Sequence, residues 1–105
     1  MAQPTDYRQM VFDIITHSLT SDPNPEVQAK AAESLGKLGE VAVTPLLLAA
    51  LSDSNKTVQC SVIQALGLLG DESAVPKLLE VLDKGTIATR QTAAEALGHI
   101  DSMQR

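Results

Sequence analysis

Apolar residues in the middle of the chain fall on a helical spacing, and that spacing itself repeats. Val27, Ala31, Leu35 and Leu38 stand at i, i+4, i+8 and i+11, the stripe of an amphipathic helix. The stripe follows a turn cluster, Asp22-Pro23-Asn24-Pro25. Asn24 suits an N-cap, Pro25 the first turn, and Glu26 the positive end of the helix. Gly39 is placed to stop it. A second helix is predicted from Thr44-Pro45 to Leu51, with Leu47, Leu48 and Leu51 turned inward. Ser52-Asp53 then opens the pattern again. Leu35-Gly36, Leu66-Gly67 and Leu97-Gly98 are 31 residues apart each time. Gly39 and Gly70, Pro45 and Pro76, Leu47 and Leu78, and Leu51 and Leu82 keep the same interval. Laying 22–52 over 53–83 without a gap gives 12 identities in 31 positions. A period of this length marks one supersecondary unit copied in tandem, here helix, turn, helix, whose apolar faces are buried by stacking on one another.

Both ends carry half of the pattern. Val11, Ile14, Ile15 and Leu19 predict a helix over 5–20, where the second helix of a preceding unit belongs, capped by Thr5 or Asp6. Ala93-Ala94-Glu95-Ala96-Leu97-Gly98 nearly copies Ala31-Ala32-Glu33-Ser34-Leu35-Gly36, so 84–101 reads as a first helix alone. The expected fold is an all-α, right-handed superhelical array of six helices in a single domain. It comprises a half-unit over 5–20, full units over 22–52 and 53–83, and a half-unit over 84–101. Glycine inside a helix costs about 1 kcal/mol relative to alanine. The recurrence of Gly36, Gly67 and Gly98 therefore predicts close approach of a neighbouring helix, with Ala31, Ala32, Ala93 and Ala94 at the same contact.

The repeated residues resemble the short HEAT-like repeats found in phycobilin lyases and their relatives. The likeness is carried by Val27, Ala31-Ala32-Glu33-Ser34-Leu35-Gly36-Lys37-Leu38-Gly39-Glu40, Val43-Thr44-Pro45-Leu46-Leu47 and Leu51. Val58, Ala65-Leu66-Gly67-Leu68-Leu69-Gly70-Asp71 and Ala74-Val75-Pro76-Lys77-Leu78-Leu79 with Leu82 match them in the second copy. It covers about 22–101. Such repeats usually follow the first-helix valine with arginine; here Gln28 and Gln59 stand there and only Arg90 is basic. The resemblance thus implies that a ladder of Asp–Arg pairs between units is mostly lost. It also implies an α-solenoid whose second helices line a concave groove.

Composition limits the function. The formal charge is −5, with Lys and Arg scattered rather than clustered, which argues against nucleic acid and a membrane surface. The longest apolar run, Pro45 to Leu51, is far short of a membrane span, and the first residues lack the basic start of a signal peptide. The single cysteine, Cys60, has no internal partner, which points to a reducing compartment, most simply the cytoplasm. With one Tyr and one Phe, the core must be aliphatic.

Little in the chain suggests chemistry. Cys60 occupies the slot of Ala29 and Gln91 and reads as structural. His17 and His99 stand at no metal-binding spacing. No nucleophile–base arrangement or phosphate loop is legible, so neither catalysis, metal nor cofactor is expected. Asp22, Asp53 and Asp83 fall at unit boundaries and read as caps or turn residues; Asp71-Glu72 reads as solvated turn. What distinguishes the copies is their second helix. Leu46, Ala49 and Ala50 correspond to Lys77, Glu80 and Val81, all expected to face outward, apolar in one copy and largely charged in the next. These six residues are the candidate partner-binding surface of a scaffold, adaptor or assembly factor, with Lys77 and Glu80 as its polar rim. The competing reading has Leu46 and Ala49 covered by the N-terminal helix. The open ends, with Ala94, Leu97 and Ile100 uncovered and Gln91, Glu95 and His99 outermost, leave room for self-association or stacking on a partner repeat. The resemblance implies a setting in phycobilisome or phycobiliprotein handling. It implies, as an alternative, a small bilin-binding subunit of a lyase-type complex, with Lys77, Lys84 and Arg90 available to propionates.

Overall fold

The computed structural model describes residues 4–53 and 55–104, with side chains from Tyr7 onward except that of Asp53. Among the described residues six α-helices follow one another: α1 (Pro4–Ser21), α2 (Pro25–Leu38), α3 (Thr44–Asp53), α4 (Lys56–Leu69), α5 (Val75–Lys84) and α6 (Ile87–Met103). Short 3-10 turns at Val41–Val43 and Glu72–Ala74 lead into α3 and α5, a detail the apolar pattern does not signal.

Each of α2, α4 and α6 is started by a side-chain cap, and the caps keep the repeat interval. The Glu26 amide donates to Asn24 Oδ1 at 2.8 Å, and the Val58 amide to Asn55 Oδ1 at 2.9 Å. Thr86 and Thr89 form a reciprocal capping box. Asn24 was legible as a cap; Asn55 and Thr86 are its equivalents. Gly39 and Gly70 end α2 and α4 at φ of 76° and 70°, a left-handed conformation that side chains with a Cβ disfavour. The boundary aspartates behave unequally. Asp22 closes its turn by accepting the Asn24 amide at 2.8 Å. Asp83 is exposed, and Thr86 caps α6 in its place. The side chains of Asp53, Thr5 and Asp6 lie outside the described ones; the backbone is already helical at Thr5 and Asp6.

The helices form two layers. Helices α2, α4 and α6 lie side by side, while α1 packs on α2, α3 on α4 and α5 on α6. The first layer is drawn together by glycine. A Cβ placed on Gly36 would fall 2.7 Å from Ala65 Cα, and one on Gly67 would fall 2.9 Å from Ala96 Cα. Gly98, in the same register, has nothing within 4 Å, so close approach accounts for two of the three glycines and not the third. The second layer has no such device, and α3 and α5 make little direct backbone contact.

The core between the layers is aliphatic. Leu35, Leu47, Val62, Ile63, Leu66 and Leu78 are fully buried. Two expectations at the ends need correction. In α1 the buried side is Leu19 with half-buried Phe12 and Ile15, whereas Val11 and Ile14 are exposed. One residue is a step of about 100° around a helix, so Val11 and Ile14 lie well round from the 12–15–19 line. In α6, Ile100 is buried rather than open, since α6 packs on both α4 and α5. Ala94 is exposed and Leu97 half-buried, with exposed Gln91, Glu95 and His99 around them.

Candidate functional site

Because the first layer is tight and the second is not, clefts open between successive second-layer helices. The first, about 180 Å³, is bounded by Leu19 and Thr20 of α1, Gln28 of α2, Leu46, Ala49 and Ala50 of α3, and Val58 of α4. The second, about 490 Å³, takes Leu51 and Ser52 of α3, Gln59 and Ile63 of α4, Lys77, Glu80, Val81 and Lys84 of α5, and Gly85, Thr86 and Thr89. They are one motif seen twice. Gln28 becomes Gln59, Leu46 becomes Lys77, Ala49 becomes Glu80, Ala50 becomes Val81 and Val58 becomes Thr89 at the constant interval.

The six candidate residues therefore line two adjacent clefts, three in each. Ala49 and Glu80 are exposed, while Leu46, Ala50, Lys77 and Val81 are half-buried. Leu46, Ala50 and Val81 also pack against the core, so they are not purely outward residues. The C-terminal end of α1 borders Leu46 and Ala49 without closing over Ala49. In the second cleft Lys77 Nζ lies 3.3 Å from Glu80 Oε1, one turn apart on α5, and the pair spans the rim.

A polar tie between successive units is present in a form the sequence comparison of Gln28, Gln59 and Arg90 does not suggest. Gln59 Nε2 donates to the Leu51 carbonyl at 3.3 Å, and Arg90 Nε donates to the Leu82 carbonyl at 3.2 Å. Both reach back eight residues to a carbonyl left unpaired at the end of the preceding helix. Glutamine at 59 thus fills the role that arginine fills at 90, each through a backbone carbonyl. The identity of residues 28 and 59 was the visible signal for a place in the cleft wall.

Elsewhere the structure offers little reactive chemistry. Among the described residues no group of three or more His, Cys, Asp or Glu is placed to hold a metal ion, and Cys60 is a half-buried free thiol. Two carboxyls are held below their ordinary range, both away from the clefts. Glu33 is lowered by the ammonium groups of Lys37, at 3.0 Å, and Lys30. Asp71 is lowered chiefly by the Ser73 amide, which donates to it at 3.0 Å, so it caps the 3-10 turn rather than being free in solvent. A third hollow, about 800 Å³, lies at the N-terminal edge between α1 and the end of α2, lined by Tyr7, Val11, Phe12, Leu38 and Ala42 with Arg8, Gln9 and Glu40. Of its α1 lining, only Val11 belongs to the stripe that the apolar pattern predicts. No helix among the described residues is long and apolar enough to cross a membrane.

The profile of a family described as HEAT repeats matches residues 12–98. No curated protein matches the sequence.

Proposed function

The chain belongs to the HEAT repeat family, and from that premise we propose that it is a non-catalytic scaffold or adaptor that holds another protein across the two clefts between α1, α3 and α5. One observation carries this reading. Core leucines and turn glycines recur between the copies, Leu35 with Leu66, Leu47 with Leu78 and Gly39 with Gly70, whereas Leu46 and Ala49 in the first cleft give way to Lys77 and Glu80 in the second. Units 22–52 and 53–83 then serve as one frame bearing two different surfaces. A frame that repeats while its exposed positions diverge fits recognition. The site is Leu46, Ala49 and Ala50 with Lys77, Glu80 and Val81.

The narrower reading, handling of phycobiliproteins in the cytoplasm during antenna assembly, is supported by the likeness of 22–101 to the repeats of phycobilin lyases. Affinity capture from native lysate, with Ala49→Asp as control, tests the broad reading. Capture that Ala49→Asp leaves intact rules out the clefts as the site. Purified phycobiliprotein subunits test the narrow reading, and an absorbance titration with a bilin separates it from the bilin-binding alternative: a saturable spectral shift favours the latter.

A further inference from the structure

The layer of α2, α4 and α6 is built from one joint used twice, and each outer edge of that layer carries one half of it. In the joint a glycine of one helix meets a small residue of the next: Gly36 meets Ala65, and Gly67 meets Ala96. The same 31-residue interval leads to Gly98 on α6, which meets nothing within 4 Å, and to Ser34 on α2. Ser34 lies two residues from Gly36, about 200° round the helix, on the side turned away from α4. Exposure follows the same division. Beside Ser34, Val27 is 41% and Leu38 51% exposed, whereas their equivalents Val58 and Leu69 on α4 are 1% and 7% exposed. Thr89 and Ile100, the equivalents on α6, are 3% and 2% exposed. Beside Gly98, Ala94 is exposed, although its equivalents Ala32 and Ile63 are fully buried. Helix α1 already stands on α2 as α3 stands on α4 and α5 on α6. What would cover both edges is therefore a helix of the first layer.

We propose that α6 of one copy of this chain packs on α2 of a second copy, Gly98 against Ser34, as a third instance of the glycine joint. That register covers Val27 and Leu38 as Val58 and Leu69 are covered within the chain, and it covers Ala94 as Ile63 is covered. The charges agree with it. Glu95 on α6 and Lys30 and Lys37 on α2 fall on the solvent side of the joint, away from Ala94 and Leu38. Glu33 alone lies between the two lysines, at 3.4 and 3.0 Å. One carboxylate for two ammonium groups leaves that edge positive, and the joint brings Glu95 of the other copy beside it. Because the two faces differ, the contact is heterologous, and each pair of copies keeps one unused half at either end.

Sedimentation velocity on the full chain over about 10–500 μM tests this, a range suited to a weak contact between copies. The average mass should rise with concentration and pass that of a dimer. Gly98→Gln and Ser34→Gln, each folded by circular dichroism, should both remain monomeric over the same range. Their equimolar mixture should form a one-to-one dimer and stop there, since each variant keeps the half that the other has lost. Leu38→Glu, at an exposed position, replaces Ser34→Gln if that variant does not fold. A wild-type chain that stays monomeric throughout, a single variant that still associates by itself, or a mixture that stays monomeric overturns the inference.

Discussion

Helices α3 and α5 are the same helix twice on the inside and two different helices on the outside. Each follows a 3-10 turn, carries proline in its first turn and buries one leucine completely, Leu47 in α3 and Leu78 in α5. Outward, α3 shows Leu46 and Ala49 where α5 shows the Lys77–Glu80 ion pair. The inward set is constrained by stacking, because a cavity or an extra methylene there is felt by both layers. The outward set is free to vary.

The comparison is broken most forcefully from the inside. Leu47→Ala and Leu78→Ala should each lose about 2–5 kcal/mol, the usual range for a buried leucine, and by similar amounts. Urea denaturation measures both; a large inequality would show that the two copies do not share one packing scheme. Next come the glycines. Gly36→Ala drives a methyl into the Ala65 backbone and should cost about 1–3 kcal/mol as overpacking. Gly98→Ala meets open space and should gain up to about 1 kcal/mol from helix propensity. Thermal melts of the pair test this, and a loss of stability at both positions sinks the explanation.

Smaller effects sharpen the outward half. Leu46 is half-buried and packs on the core, so Leu46→Asp should cost about 1–2 kcal/mol, a part of the full burial of a leucine. Ala49 is exposed, and Ala49→Asp should stay within about 0.5 kcal/mol. Both should abolish partner capture, which separates the surface from the core. The smallest difference lies between the turns. Asp71 caps its turn, whereas Glu40, one interval earlier, makes no side-chain cap. Lowering of the Asp71 carboxyl in the fold means that its contribution is complete above the unfolded pKa and is lost as pH falls through the folded one. Asp71→Asn should therefore flatten the acid limb of a stability–pH profile slightly.

Much of the fold was legible because stacking leaves a periodic trace. The interval, the six helices, the Asn24 cap and the Gly39 stop are local chemistry, and Gly36 and Gly67 stand where the trace predicts contact; which helices pack together, α1 on α2, α3 on α4 and α5 on α6, does not follow the units read from the repeat. Helix α1 was misread because Phe12, Ile15 and Leu19 compete with Val11 and Ile14 for the same stripe, and periodicity cannot choose between faces a residue apart. Gly98 shows the converse failure: a letter kept in register without the contact that explains it elsewhere. At the site, the contrast of Leu46 with Lys77 was visible, but the clefts themselves were not. Their existence depends on one layer closing through Gly–Ala contacts while the other stays apart, a property of the pair of layers rather than of any helix. The carbonyl ties of Gln59 and Arg90 escaped notice for a related reason: a backbone acceptor leaves no letter in the sequence.

Helix α4 is the only described member of its layer flanked on both sides, and this gives the molecule a mechanical centre. In an array whose parts touch only their neighbours, opening starts at the ends and works inward. Amide protons of Val62, Ile63 and Leu66 should therefore exchange with solvent last. A ligand bridging α3 and α5 would clamp that same joint and slow the fraying on either side. Occupancy of the clefts would then be recorded as lengthened amide lifetimes along α4, beneath the surface that the ligand touches.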